Sequence, residues 1–233
     1  QGVGLRFGVP YTEVDRLTFG LTYERNRLNL GANAPNRFKE YVEAFGETSW
    51  AVLGNIGWLR DERDSPITPT RGLFVSSTLE FTLPVGDLRY TRANIDVQWY
   101  KPLTKDYTIG LYGSVARGWA LDDTVYPIFK IYYAGGIGSV RGFEAASLGP
   151  RDTDGFPLGG QSRFVASAEF LFPLPGAGNE QIVRLFGFAD VGNVFPGSIQ
   201  LGDLRASVGF GLNWLSPLGP LKLSMGFPLD KQP

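Results

Sequence analysis

Three features of the chain predict an all-β protein and, within that class, an antiparallel transmembrane β-barrel of about ten strands. Apolar and polar residues alternate with a period of two along most of the chain, the connections switch between short turns and longer loops, and charged side chains recur on the face opposite the oily one. A soluble β-sandwich shares the alternation, because it also buries one face of each strand and wets the other. The barrel is favoured by Trp99, Phe172, Trp214 and Phe227, which stand near strand ends as interfacial girdles do. It is also favoured by Arg6, Glu80, Arg92, Asp96, Glu169, Asp190 and Arg205 at positions that would line a lumen, since sandwich interiors rarely hold such charges.

The first strand sets Val3, Leu5, Phe7 and Val9 against Gly2, Gly4, Arg6 and Gly8. After a turn over Pro10 to Asp15, the second sets Leu17, Phe19, Leu21 and Tyr23 against Thr18, Gly20, Thr22 and Glu24. Phe38, Tyr41, Val42 and Phe45 then fall at helical spacing in a polar segment, which predicts a short helix within a loop. From Ser49 the alternation returns with Val52, Ile56 and Trp58 on one face, blurred by Leu53 and Leu59. Beyond a charged turn over Asp61 to Gly72 come Leu73, Val75, Leu79, Phe81 and Leu83. A tight connection, Pro84-Val85-Gly86-Asp87, leads into Ala93, Ile95, Val97 and Trp99. A sixth strand runs from Tyr107 to about Gly118.

Residues 119–160 lack sustained alternation. Four strands follow, the first with Phe164, Ala166, Ala168, Phe170 and Phe172 opposite Arg163, Ser167 and Glu169. The next has Leu185, Ala189 and Val191 opposite Arg184, Phe186, Phe188 and Asp190. The last two are the clearest, running from Leu204 to Trp214 and then through Leu221, Leu223, Met225 and Phe227. A dyad of that length suits a membrane-spanning strand. It predicts that Val208 faces lipid and Ser207 the lumen, so that arginine is far better tolerated at position 207 than at 208.

The net charge is −1 from 22 basic and 23 acidic residues, so no polybasic face points to nucleic acid and no acidic tail to disorder. No run of about eighteen apolar residues could form a transmembrane helix. Cysteine and histidine are both absent, which removes thiolate chemistry, imidazole catalysis and the commonest transition-metal ligands. The acidic pairs Asp61-Glu62 and Asp122-Asp123 fall in predicted loops and read as solvated charge. The expectation is therefore no enzyme, no metal and no cofactor. The chain opens within a strand pattern at Gln1-Gly2-Val3-Gly4, which predicts a mature chain or an excised fragment.

A loop as long as 119–160 usually carries function. Gly135, Gly136 and Gly138 allow positive φ and close backbone approach, and Val140, Arg141, Gly142 and Phe143 present one cation bracketed by two apolar anchors. Such a tip is suited to docking; the plainer alternative is a surface loop whose arginine meets solvent.

These residues resemble a known family. Tyr133-Ala134-Gly135-Gly136, Val140-Arg141-Gly142-Phe143 and Leu148-Gly149-Pro150 are similar to the signature loop of the BamA family, the outer-membrane β-barrel assembly proteins of Gram-negative bacteria. Ser167-Ala168-Glu169-Phe170, Phe188-Ala189-Asp190-Val191-Gly192 and Trp214-Leu215-Ser216-Pro217-Leu218-Gly219-Pro220 resemble the family's strands after that loop. Thr68-Pro69-Thr70-Arg71-Gly72 resembles one of its inner turns. The resemblance implies one partial barrel domain over 1–233, matching the sixth to the fifteenth strands of a sixteen-stranded barrel. On that reading the N-terminal POTRA domains, first strands and closing strand are absent, and 119–160 is an extracellular loop folded into the lumen.

The function implied is assembly and insertion of β-barrel proteins into the bacterial outer membrane. The implied partners are the lipid bilayer, nascent outer-membrane proteins, the lipoproteins of the assembly machine and periplasmic chaperones. In the family the loop arginine folds back to meet lumenal acids, which implies Glu169 and Asp190 as partners of Arg141. A two-partner secretion pore, which carries a similar loop, and a passive porin-like barrel are the alternative functions.

Overall fold

The computed structural model describes residues 1–31, 34–174 and 182–229. Ten strands form one sheet in sequence order, each antiparallel to the next. They are β1 (Gly2–Pro10), β2 (Asp15–Arg27), β3 (Thr48–Asp61), β4 (Gly72–Gly86), β5 (Tyr90–Pro102), β6 (Thr108–Ala120), β7 (Ser162–Pro173), β8 (Val183–Phe195), β9 (Arg205–Ser216) and β10 (Gly219–Pro228). The sheet is not closed: among the described residues β1 and β10 each have one paired neighbour. Strands of 9 to 15 residues have the span that tilted membrane strands need.

The oily face of this sheet is its outer face and stays uncovered. Leu5, Leu21, Ile95, Phe210, Leu223 and Met225 are all exposed large hydrophobics on it. An apolar surface of that extent has no place in water and matches a hydrocarbon surround. The buried core lies instead on the inner face, where Ala116, Val165 and Val194 of the strands pack with Tyr132, Ala134, Val140 and Leu148 of the central loop. This arrangement separates the barrel from the sandwich, whose second sheet would cover the oily face.

The same packing explains the blurred pattern in β3. Ala51 and Leu53 point inward and are buried with Leu88, Tyr90, Tyr126 and Ile131, so the lumenal side of β3 is apolar where the loop rests on it. The register between β3 and β4 shifts at this point, between Ala51 and Leu53. The connection expected at Pro84 to Asp87 lies further on. β4 continues through Pro84 and Val85 to Gly86, pairing there with β3 at Ala51, while its ladder to β5 ends at Phe81 and Thr91. Pro84 thus lies beyond the β5 ladder and between the last two register pairs with β3, so its missing N–H breaks no paired position.

The longest connections, 28–47 and 121–161, leave the sheet at the same end. In membrane barrels that is the extracellular end. The expected loop helix is α1 (Asn36–Phe45), and it caps the central loop. Arg37 donates to the Leu158 carbonyl at 3.0 Å, and the buried Tyr41 ring meets Phe129 edge-on at 6.5 Å.

Candidate functional site in the lumen

The central loop leaves β6, makes one 3-10 turn at Ile128–Lys130, and is stitched to itself by bridges between Tyr132 and Gly160 and between Ala134 and Leu148. Gly135 and Gly136 hold positive φ at the bend and Gly138 does not. The Gly135 N–H donates to Ser139 Oγ at 2.7 Å, closing the tip. The next four residues lie against the inner wall of β7 to β10.

Arg141 is the centre of this contact. Its Nε and Nη2 donate to Asp190 at 2.7 and 2.6 Å, its Nη1 to Glu169 at 2.6 Å, and Nη2 also to Ser167 Oγ at 2.9 Å. Four of five guanidinium donors are thereby used, and the backbone N–H adds a further bond to Asp190 at 3.0 Å. Arg141 is 6% exposed and Asp190 2%, so this is a charge-assisted network out of bulk water. Burial works against the charged form of Arg141, but Asp190 and Glu169 outweigh it and hold the guanidinium above its ordinary range. The guanidinium also sits 3.6 Å from the centre of the Phe188 ring, a cation-π contact.

The wall is shaped to receive the loop. Val140 is fully buried against Gly192 of β8, where a Cβ would come within 2.9 Å of its Cγ2. Gly142 has φ +90° and lies on the backbone of β10: a Cβ there would be 2.8 Å from the Gly226 carbonyl carbon. A Cβ on Gly226 would in turn sit 2.6 Å from the Gly142 nitrogen, so two backbones touch where any larger residue would separate them. Phe143 packs partly buried against the same core cluster as Val140.

Val140, Arg141, Gly142, Phe143, Glu169 and Asp190 are thus all brought together. Two elements of the site escaped sequence reasoning. Lys222 of β10 donates to both Glu169 oxygens at 2.8 and 3.0 Å, so Glu169 links the loop to β10. Lys130 forms a second anchor on the far wall, 2.9 Å from Glu24 of β2 and 3.8 Å from Glu80 of β4. Tyr90 donates to Glu80 at 2.8 Å, and Tyr126 to the Lys130 carbonyl at 3.1 Å. The available signal was a single lysine amid Tyr126, Phe129, Tyr132 and Tyr133, with Glu24 on the polar face of its strand. Glu80 and Arg92 also face each other across β4 and β5 at 3.8 Å. Among the described residues no cluster of three His, Cys, Asp or Glu side chains could hold a metal ion. Glu169, Asp190, Glu24 and Glu80 are neutralised by Arg141, Lys222 and Lys130.

A curled antiparallel meander, oily outside, with a basic loop tip returned onto its inner wall, defines a class of membrane protein. The chain belongs to the Omp85 superfamily, whose domain matches residues 1–233. Within that class its likeness is to BamA. The sheet matches the crystal structure of BamA from Haemophilus ducreyi lacking POTRA domains 1–3 with a TM-score of 0.88 and 27% identity, over 99% of this chain and 51% of that one. Outer membrane protein assembly factor BamA of Neisseria meningitidis serogroup B is 36% identical over 272 residues, covering 100% of this chain and 34% of that protein. BamA of Nitratidesulfovibrio vulgaris is 30% identical over 99% of this chain and 29% of that protein. A SAM50-like protein of Drosophila melanogaster is 29% identical over 65% of this chain. The chain spans about a third of the length of the curated BamA relatives it matches.

Proposed function

We propose that this chain is barrel wall and lumenal loop of an assembly factor that folds β-barrel proteins and inserts them into the bacterial outer membrane. The observation that carries the reading is the docked loop tip, Val140 to Phe143, held by Arg141 on Glu169 and Asp190 within a sheet that matches BamA over 99% of its length. The names of the bacterial relatives, both outer membrane protein assembly factors, support the activity and the location.

The action is non-enzymatic, for no bond is made or broken. Unpaired strand edges in hydrocarbon cost several kcal/mol per backbone group, so a barrel with a weak seam offers an incoming strand the pairing that lipid denies it. The loop keeps the inner wall curved and filled while that seam works. The partners are nascent outer-membrane proteins and the bilayer, with assembly-machine lipoproteins and periplasmic chaperones delivering substrate. A passive porin would keep its lumen open, whereas here Lys130 and Arg141 tie one loop across it.

The test uses the full-length protein in liposomes. A urea-denatured outer-membrane protein should fold faster into these vesicles than into protein-free vesicles or vesicles carrying a porin. Equal rates in all three would refute the proposal.

A further inference from the structure

At the end of the barrel opposite the long loops, a cavity of about 170 Å³ opens between the inner wall and the β3–β4 turn. Arg184, Asn213 and Lys222 stand on its polar side together with Glu169, whose charge Lys222 and Arg141 offset, and Ile67, Pro69 and Leu215 stand on its apolar side. Arg184 is 7% exposed, so it is more than nine-tenths buried. It donates one hydrogen bond, from Nη2 to Thr108 Oγ1 at 2.9 Å, and among the described residues no carboxylate lies within ion-pair reach of it. A guanidinium has five donors, and a buried charge is stable only when it is paired.

The oxygens of the two nearest acids are occupied by other donors. Glu169 takes Arg141 and Lys222. Asp64, in the turn above, accepts from the backbone N–H groups of Thr70 at 2.9 Å and Arg71 at 3.3 Å and from the Thr70 hydroxyl. Asp64 still attracts Arg184 across the cavity, but no carboxylate oxygen touches the guanidinium, and most of its donors are left facing the cavity.

We propose that the cavity binds a carboxylate carrying a short apolar body. The carboxylate matches the planar fork of Arg184, with the Asn213 amide beside it, and the body lies against Ile67 and Pro69. A phosphate would satisfy the fork but would turn its remaining oxygens toward Ile67, Pro69 and Leu215, whose side chains donate nothing. Two sources share this chemistry, a free short-chain acid and the carboxylate end of a peptide. The inference stands apart from the assembly activity.

The experiment is calorimetric titration of the full-length protein in nanodiscs with hexanoate, hexanol and inorganic phosphate. Alongside them run a tetrapeptide with an apolar last residue and its C-terminal amide. Hexanoate should bind at least about tenfold more tightly than hexanol or phosphate, and Arg184→Gln should remove about that factor, with Arg184→Lys between. Tighter binding of the free-acid peptide than of its amide makes a chain end the occupant; hexanoate binding without peptide binding makes it a small acid. Because the hexanoate and hexanol comparison uses the unaltered protein, a misfolded Arg184 variant does not spare the proposal. Equal binding of hexanoate and hexanol, phosphate as tight as hexanoate, or no heat with any acid would overturn it.

Discussion

Arg141→Ala removes the cation from a network whose two acids then fare differently. Glu169 keeps both bonds from Lys222, whereas Asp190, 2% exposed, keeps the Ser167 hydroxyl and the backbone N–H of residue 141. The uncompensated charge is therefore Asp190. Breaking a buried pair on one side costs about 3 to 5 kcal/mol, and this figure should apply nearly in full here. At roughly 1.4 kcal/mol per factor of ten, the undocked loop should become about a hundred- to several-thousand-fold more populated. A double-mutant cycle by denaturant unfolding of the full-length protein should give a coupling of about 2 to 3 kcal/mol for Arg141→Ala with Asp190→Asn. With Glu169→Gln the coupling should be about 1 kcal/mol, because Lys222 remains. Protease cleavage within 121–161 should rise in Arg141→Ala and fall back when Asp190→Asn is added. Additive losses in both cycles, with cleavage unchanged, would refute the anchoring argument.

Three further outcomes follow from the same geometry. Gly226→Ala should push the loop off β10, because its Cβ would lie 2.6 Å from the Gly142 nitrogen; a loss of about 1 to 3 kcal/mol with faster loop proteolysis is expected. Phe210→Arg, on the oily face, should destabilise the protein in bilayers by about 2 to 4 kcal/mol, while Thr78→Arg, exposed on the lumenal face, should cost far less; equal effects would remove the barrel assignment. Lys130→Gln should release the other end of the loop at a cost of about 1 to 3 kcal/mol, read as new cleavage near 121–133 with the tip still protected.

The strands were legible because each inner position differs in polarity from its outer neighbour, and that contrast survives without any tertiary information. It failed where the loop returns. Leu53 blurred the alternation because the lumen beside it is filled by Tyr126 and Ile131, and no local pattern announces a residue that packs against a segment seventy positions away. The expectation that arginine is far better tolerated at Ser207 than at Val208 assumes an open lumen at that point. Ser207 does face inward, but it is 1% exposed beside Asp190, so an arginine there has no room. The Arg141 contacts were legible through family resemblance and charge balance together, since two inner acids on adjacent strands need a cation between them. Lys222 and Lys130 were not, because one lies on a strand whose partner acid is three strands away and the other belongs to a loop whose path the alternation does not encode.

Hydrogen exchange across residues 128–148 of the full-length protein in nanodiscs tests most directly whether this loop is a built part of the lumen. The N–H groups of Tyr132, Arg141 and Leu148 are bonded to the Gly160 carbonyl at 2.7 Å, Asp190 at 3.0 Å and the Ala134 carbonyl at 3.0 Å. They should exchange orders of magnitude more slowly than amides of the turn 103–107, and the Arg141 amide should lose its protection in Asp190→Ala, which removes its acceptor. Exchange of 128–148 as fast as that of the turn would contradict a loop docked by Arg141.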